Sequence, residues 1–251
     1  MNHKEIKKLL KKNGLRLDNR KLDELRSIKI EIGLLEKANG SVYMEWGKNK
    51  IIAAVYGPRE VHPRHLSLTD KALVRCRYHM TPFSTDERKR PAPSRREVEL
   101  SKVIAAAVEP IIFTDLYPRT GIDIFIEVLE SDGGTRCAAL TVTSLALADA
   151  GIPLKDLVSA CAAGKIDGKI VLDLNGIEDQ LGEADLPIAI TPRNKGITLL
   201  QMDGILTHEE FKKALNLAIE GCEKIYDLQK EALRKKYTIG KEETEKIKEE
   251  D

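Results

Sequence analysis

Gly133-Gly134-Thr135-Arg136 brings together what an anion needs: bare backbone, a hydroxyl and a guanidinium. The preceding residues 121–130, GIDIFIEVLE, alternate β-branched and aromatic side chains as a strand does. The following residues 137–150, CAALTVTSLALADA, read as a helix that stops at Gly151. A Gly-rich turn feeding a helix presents unbonded N–H groups at the positive end of the helix dipole. With the Thr135 hydroxyl and the Arg136 fork added, the turn is a candidate phosphate cradle. The same residues also read as an ordinary strand–turn–helix with Asp132 as its N-cap.

Other charged groups extend or dilute that reading. Arg95 and Arg96 fall in the first turn of a helix opened by Ser94, where the dipole disfavours cations and a bound anion would explain them. They also read as solvated charges beside Glu97 and Glu99. Arg88, Lys89 and Arg90 make the preceding loop locally basic, which suits a phosphodiester backbone. Asp179 and Asp185 are six positions apart, about 20 Å if extended, so sharing one metal requires the chain to fold back, which Gly182 permits. Magnesium takes one or two carboxylates plus waters and phosphate oxygens. On spacing alone, Asp179 reads equally as a turn cap. His62 and His65 have no neighbouring Cys or paired acids, so with Arg59 and Arg64 they read as an exposed polar loop touching phosphates rather than a metal site. Trp46, Tyr78 and Phe83 read as packing, since 4% aromatic content does not build a broad stacking platform. There is no GxxxxGK[ST], GxSxG or HExxH motif.

The elements that must position these residues follow from pattern. Strands are predicted at 28–35, 40–46, 50–56, 72–80 and 121–130, then at 158–163, 169–174, 186–191 and 197–203. Helices are predicted over 4–12, from Ser94 with a Ser94/Glu97 capping box to Pro110, over 137–150, and from a Thr207/Glu210 cap onward. Strands, helix, strand, helix, strands, helix is an α+β order, with mixed β-sheets packed against helices. No Pro/Ser/Gly-rich linker interrupts it. Residues 1–239 are therefore expected to form one domain, with an N-terminal arm over 1–14. Residues 240–251, almost all charged, are expected to form a disordered tail. Each half runs strands then helix, yet no residue-level repeat is visible.

The 251 residues are enough to bury a substantial core. A net charge of +1 makes any nucleic-acid site a local feature. Four cysteines without CxxC or zinc spacing read as buried thiols in a reducing cytosol. With neither a signal-peptide core nor a membrane-length apolar run, a soluble cytoplasmic protein is expected.

YGPREVHPRH, RYHMTPFSTDERKRPAPSRREVELSK, DGGTR, ADAGIP and LDLNGIEDQLGEADLPIA together resemble the RNase PH family, nearest its catalytic archaeal exosome subunits. The resemblance runs from about Leu15 to Tyr237, and the long TPFSTDER…SRRE and GEADLP blocks are its most specific parts. It implies an RNase PH-type α+β domain and phosphate-dependent 3′→5′ exoribonuclease activity, releasing nucleoside diphosphates and able to run backwards as polymerisation. Gly134, Thr135, Arg136 and Arg96 match phosphate-binding positions, with Thr where the family often has Ser. Arg95 and Arg96 match arginines on the RNA 3′ end. Asp179 matches the catalytic aspartate, and Asp185 the second acid, linked with it to Mg2+ or Mn2+. Arg64, with His65 and Arg59 beside it, looks like part of an RNA-constricting neck. The resemblance further implies inorganic phosphate as co-substrate and a hexameric ring, a trimer of heterodimers with a homologous inactive subunit. RNA-binding cap proteins would sit on top. A non-catalytic RNA-threading subunit and a stand-alone tRNA 3′-trimming enzyme are the alternatives. The intact DGGTR and Asp179 argue against the first, and the exosome-like loops against the second.

Overall fold

The structure is a computed structural model describing the backbone of residues 8–250 and side chains through 238. Alternating residues of β1 (Ile28–Ile32), β2 (Gly40–Trp46), β3 (Asn49–Glu60), β4 (Leu73–Met80) and β5 (Thr120–Glu130) build a five-stranded sheet in the order β1-β2-β3-β5-β4. All neighbours are antiparallel except β4 and β5. A parallel pair needs a crossover, and α1 (Arg95–Val108) supplies it. Its start is fixed by the predicted capping box: Ser94 Oγ accepts from Glu97 N–H at 3.3 Å, and Ser94 N–H donates back to the Glu97 carboxylate.

Helix α2 (Thr135–Asp149) is apolar on nearly every side, which marks a helix buried all round. It lies between the first sheet, against β2 and β3, and the second, against β6 (Ser159–Ile166). The second sheet runs β10 (Asp203–Gly204), β8 (Ala184–Thr191), β6, β7 (Lys169–Leu172), with β9 (Gly196–Leu200) also on β8. A short helix, α3 (Gly176–Leu181), follows β7, and α4 (His208–Glu250) covers the second sheet. Both sheets and α2 share one hydrophobic core. The α+β reading of the sequence is therefore what the chain builds.

Three local expectations differ. Residues 8–14 form turns and a Leu10–Arg16 bridge rather than a helix, because Asp167 Oδ2 accepts the N–H groups of both Leu9 and Leu10 at 2.8 Å. Residues 4–7 of that expected helix, and residues 1–7 of the 1–14 arm, lie outside the described residues. Helix α3 was not anticipated, being six residues long, opening on Gly176 and stopping at Gly182. Helix α4 runs on through 240–250, the segment expected as a disordered tail, and the 239/240 boundary falls inside it. Glu and Lys, which dominate this segment, are good helix formers. Among the described residues, no helix is long and apolar enough to cross a membrane.

Candidate active site

The turn after β5 is built by two left-handed glycines, Gly133 at φ +70° and Gly134 at φ +68°. Gly133 is doubly constrained, since a Cβ there would lie 2.7 Å from the carbonyl carbon of Asn175. Asp132 does not cap α2. Its Oδ1 instead accepts the N–H of Gly176 at 3.1 Å, tying the turn to the first residue of α3. The α2 N-terminus therefore has no side-chain cap, and its first-turn N–H groups are available to an anion. Tyr78 Oη donates to Thr135 Oγ1 at 2.9 Å. Arg136 Nε is buried with no hydrogen-bond partner, an unmet charged donor beside the turn.

A cleft of about 870 Å³ opens beside this turn, lined by Arg95, Arg96, Arg136, Asp179, Asp185 and Asp203 among others. The fold-back demanded by the six-residue Asp179–Asp185 offset comes from α3. Asn175 Oδ1 caps it by accepting from Ile177 and Glu178 N–H at 3.1 and 3.0 Å. The chain then turns at Gly182 into β8, which carries Asp185. Asp203 was not singled out from sequence. It pairs with Asp185 across β10 and β8, and a single acid at a strand end gives no local signal.

The electrostatics separate the acids. Burial, then the charge of Asp179, pushes the Asp185 carboxyl up to about 7, against the pull of Arg136 and Arg96. The Asp179 carboxyl is also raised, by partial burial that outweighs Arg96, Arg136 and Arg26. A carboxyl that holds a proton near neutrality, facing arginines across a cleft, suits phosphoryl chemistry with an oxygen leaving group.

The second basic cluster lies elsewhere. Arg59 pairs with Gly121 at the start of β5, nine residues and about 30 Å from the turn at its other end. There Arg59 Nη2 bonds Asp123 Oδ2 at 2.6 Å and its guanidinium lies over the Tyr56 ring. Arg64 Nε meets Glu60 Oε1 at 2.7 Å on an exposed turn that also holds His65. The basic 81–93 loop is at the site end. Ser131 N–H donates to Ser84 O at 2.9 Å, and Thr81 N–H to Val128 O at 3.0 Å. Phe83, read as packing, is 71% exposed on that loop.

The two-sheet division is repeated in comparisons with known proteins. Residues 24–153 match the model of domain 1 of the 3′ exoribonuclease family, RNase PH, and residues 156–221 match domain 2. The exosome complex component Rrp41 of Thermococcus kodakarensis is 60% identical over 237 residues, 94% of this chain and 95% of that protein. That of Methanopyrus kandleri is 59% identical over 230 residues, 92% and 96% of the two chains. In solved structures the fold recurs in rice Rrp46, with TM-score 0.75 and 24% identity over 86% of this chain and 98% of that one. It recurs again in the Archaeoglobus fulgidus exosome with RNA bound to the active site, with TM-score 0.73 and 20% identity over 90% and 93% of the two chains. With both domain models matched in order and such identity along nearly its whole length, this chain belongs to the RNase PH 3′ exoribonuclease family.

Proposed function

We propose that this chain is the catalytic, phosphate-dependent 3′→5′ exoribonuclease subunit of an exosome ring. The observation that carries the reading is the cleft that joins an uncapped helix N-terminus and the unpartnered Arg136 Nε to three aspartates. Inorganic phosphate sits on the Gly134-Thr135-Arg136 turn and attacks the last phosphodiester of the RNA. Arg95 and Arg96 offset the negative charge gathering between nucleophile and scissile group. The 3′ oxygen leaves and needs a proton or a positive charge. Asp185, whose carboxyl holds its proton up to about neutral pH, and Asp179 line the cleft with the arginines. The product is a nucleoside diphosphate. One phosphate linkage replaces another of similar energy, so polymerisation runs through the same site.

The carboxylate pair fits a hard divalent cation. Burial of two mutually repelling acids, one raised to about 7, is relieved by positive charge between them. No group of three or more His, Cys, Asp or Glu among the described residues could hold a metal, so phosphate oxygens and water would complete the coordination. Asp179 and Asp185 would hold Mg2+ or Mn2+, which would stabilise charge on the leaving oxygen.

The relatives are named as exosome components, which supports assembly with RNase PH-like subunits. The working unit is a hexameric ring, a trimer of heterodimers with a homologous inactive partner, below RNA-binding caps. The Arg59, Arg64 and His65 cluster, about 30 Å from the turn, serves as an upstream RNA contact. Four unpaired cysteines, three of them buried, suit the reducing cytoplasm as its location.

The test is to incubate oligoribonucleotide with the chain, alone and with a ring partner, with and without phosphate, and identify the released nucleotides. Diphosphates that appear only with phosphate, and faster with the partner, are expected. Monophosphates released equally well without phosphate overturn the reading.

A further inference from the structure

A buried ionic network of Arg26, Asp173 and Trp46 lies behind the turn. Arg26, 8% exposed, grips Asp173 with two fork bonds, Nη2 to Oδ1 at 2.6 Å and Nε to Oδ2 at 3.0 Å. Its own N–H adds a third at 2.8 Å, and Trp46 Nε1 a fourth at 2.9 Å. Burial alone would raise the Asp173 carboxyl, but the Arg26 charge and these hydrogen bonds hold it below its usual value. Asp173 is therefore a fixed anion that fixes a cation.

The guanidinium has donors left over, and they reach the turn. Arg26 Nη1 donates to Asp132 O at 2.6 Å and Nη2 to Gly133 O at 3.3 Å. Asn49, fully buried, shares one of these carbonyls, its Nδ2 donating to Gly133 O at 2.7 Å, and pins the peptide before them, its Oδ1 accepting Asp132 N–H at 2.6 Å. In a planar trans peptide the C=O of one residue and the N–H of the next point opposite ways. Holding the carbonyls of Asp132 and Gly133 toward Arg26 aims the N–H groups of Gly133 and Gly134 away from it. A charged donor on each carbonyl also polarises its peptide and makes that N–H a stronger donor. Glycines would otherwise leave this turn loose, since they supply no side-chain restraint of their own.

We propose that Arg26, with Asn49, is a positioning pair that aims the backbone N–H groups of the 132–136 turn and so sets the affinity for inorganic phosphate. The inference rests on the reading of that turn as a phosphate site. Asp173 holds the pair in place, and the Asp132 side chain, through Gly176 N–H, sets the position of α3 separately. Two different tasks thus meet on one residue: its carbonyl serves phosphate and its carboxylate serves the helix of Asp179.

Three variants separate these tasks. Arg26→Lys keeps a cation for Asp173 but loses the fork that reaches two carbonyls. Asn49→Ser removes the second hold without touching a charge. Asp132→Ala unties α3 and leaves both carbonyls. Each is assembled with the ring partner, and each folded chain is titrated calorimetrically with inorganic phosphate. For Arg26→Lys and Asn49→Ser, half-saturating phosphate should rise about tenfold in the assay. Calorimetry should show the same weakening, with the rate at saturating phosphate and the RNA affinity within about threefold of wild type. Asp132→Ala should instead lower the saturated rate with a smaller change in phosphate half-saturation. Should Arg26→Lys not fold, the neutral Asn49→Ser decides. A slower rate with unchanged phosphate affinity in the folded Arg26 or Asn49 variants means a purely structural brace and overturns the proposal. If wild type binds phosphate by calorimetry yet degrades RNA without it, the functional reading fails while the calorimetric comparison still judges Arg26.

Discussion

Tyr78 Oη donates a hydrogen bond to Thr135 Oγ1 at 2.9 Å, from the core side of the sheet to the first residue of α2. Because the Thr135 oxygen is the acceptor, its own proton is left to donate to a bound phosphate. Tyr78→Phe removes this bond with little change of volume. A neutral hydrogen bond contributes about 1 kcal/mol, so half-saturating phosphate should rise about fivefold while RNA affinity stays constant. Initial rates across a phosphate series measure it. An unchanged phosphate dependence would show that the Thr135 hydroxyl does not contact phosphate.

Arg136 carries a stronger expectation. Its buried Nε has no partner, so phosphate would be the group that satisfies it. Arg136→Ala removes a charge-assisted contact of about 2–3 kcal/mol, which raises half-saturating phosphate by roughly 30- to 150-fold. RNA binding, measured without phosphate, should weaken much less. The reverse pattern, weak RNA binding with normal phosphate dependence, assigns Arg136 to the nucleic acid.

The strand–turn–helix at 121–150 was legible because its signals are local: alternation, two glycines, an apolar run. Ser94 and Glu97 were legible for the same reason, each being the other's partner three residues away. Helix α3 and Asp203 were not. A six-residue helix that opens on a glycine shows no periodicity, and Asp203 becomes part of the site only through a strand pairing with Asp185. Asp132 was read as a cap because an acid before a helix usually is one. Its actual partner, Gly176, is 44 residues away. The network of Arg26 and Asp173 spans 147 residues, and no spacing rule encodes it. The α+β class was legible from element order. The family's phosphate, metal and RNA positions came from motif resemblance, and the structure brings Arg95, Arg96, Arg136, Asp179 and Asp185 to one cleft.

Asp185 makes the chain's stability depend on pH. Its carboxyl is raised to about 7 in the folded state, against about 3.9 when unfolded. The folded state thus holds a proton that the unfolded state has lost between those values. The stabilisation is complete below about pH 4 and is lost as pH rises through about 7. In chelator, the wild-type melting temperature should fall across that window, and Asp185→Asn should flatten the fall. Added Mg2+ should recover stability at pH 8 in wild type and less in the variant, because it binds only the folded site. Identical pH profiles for the two proteins would remove Asp185 from this role.

Asp179 decides whether the cleft is catalytic or only binds. It stands on α3 under the influence of Arg96 and Arg136, where a carboxylate weakens anion binding. Such a placement is useful when the 3′ oxygen departs and a proton or a cation must be at hand. Asp179→Asn keeps the shape and a hydrogen-bonding group but removes both the acid and the negative ligand. The saturated rate should fall about 100-fold or more, the scale of lost general acid–base catalysis. RNA affinity should stay the same or rise slightly, since one negative charge facing the phosphates is gone. Phosphorolysis and polymerisation should fall by the same factor, because both directions share one transition state. Single-turnover release of nucleoside diphosphate and incorporation from nucleoside diphosphate measure the two rates. Near-normal rates in Asp179→Asn with abolished rates in Asp185→Asn would exchange the roles of the two acids. Near-normal rates in both variants would move the chemistry out of this cleft and leave the chain a conduit for RNA.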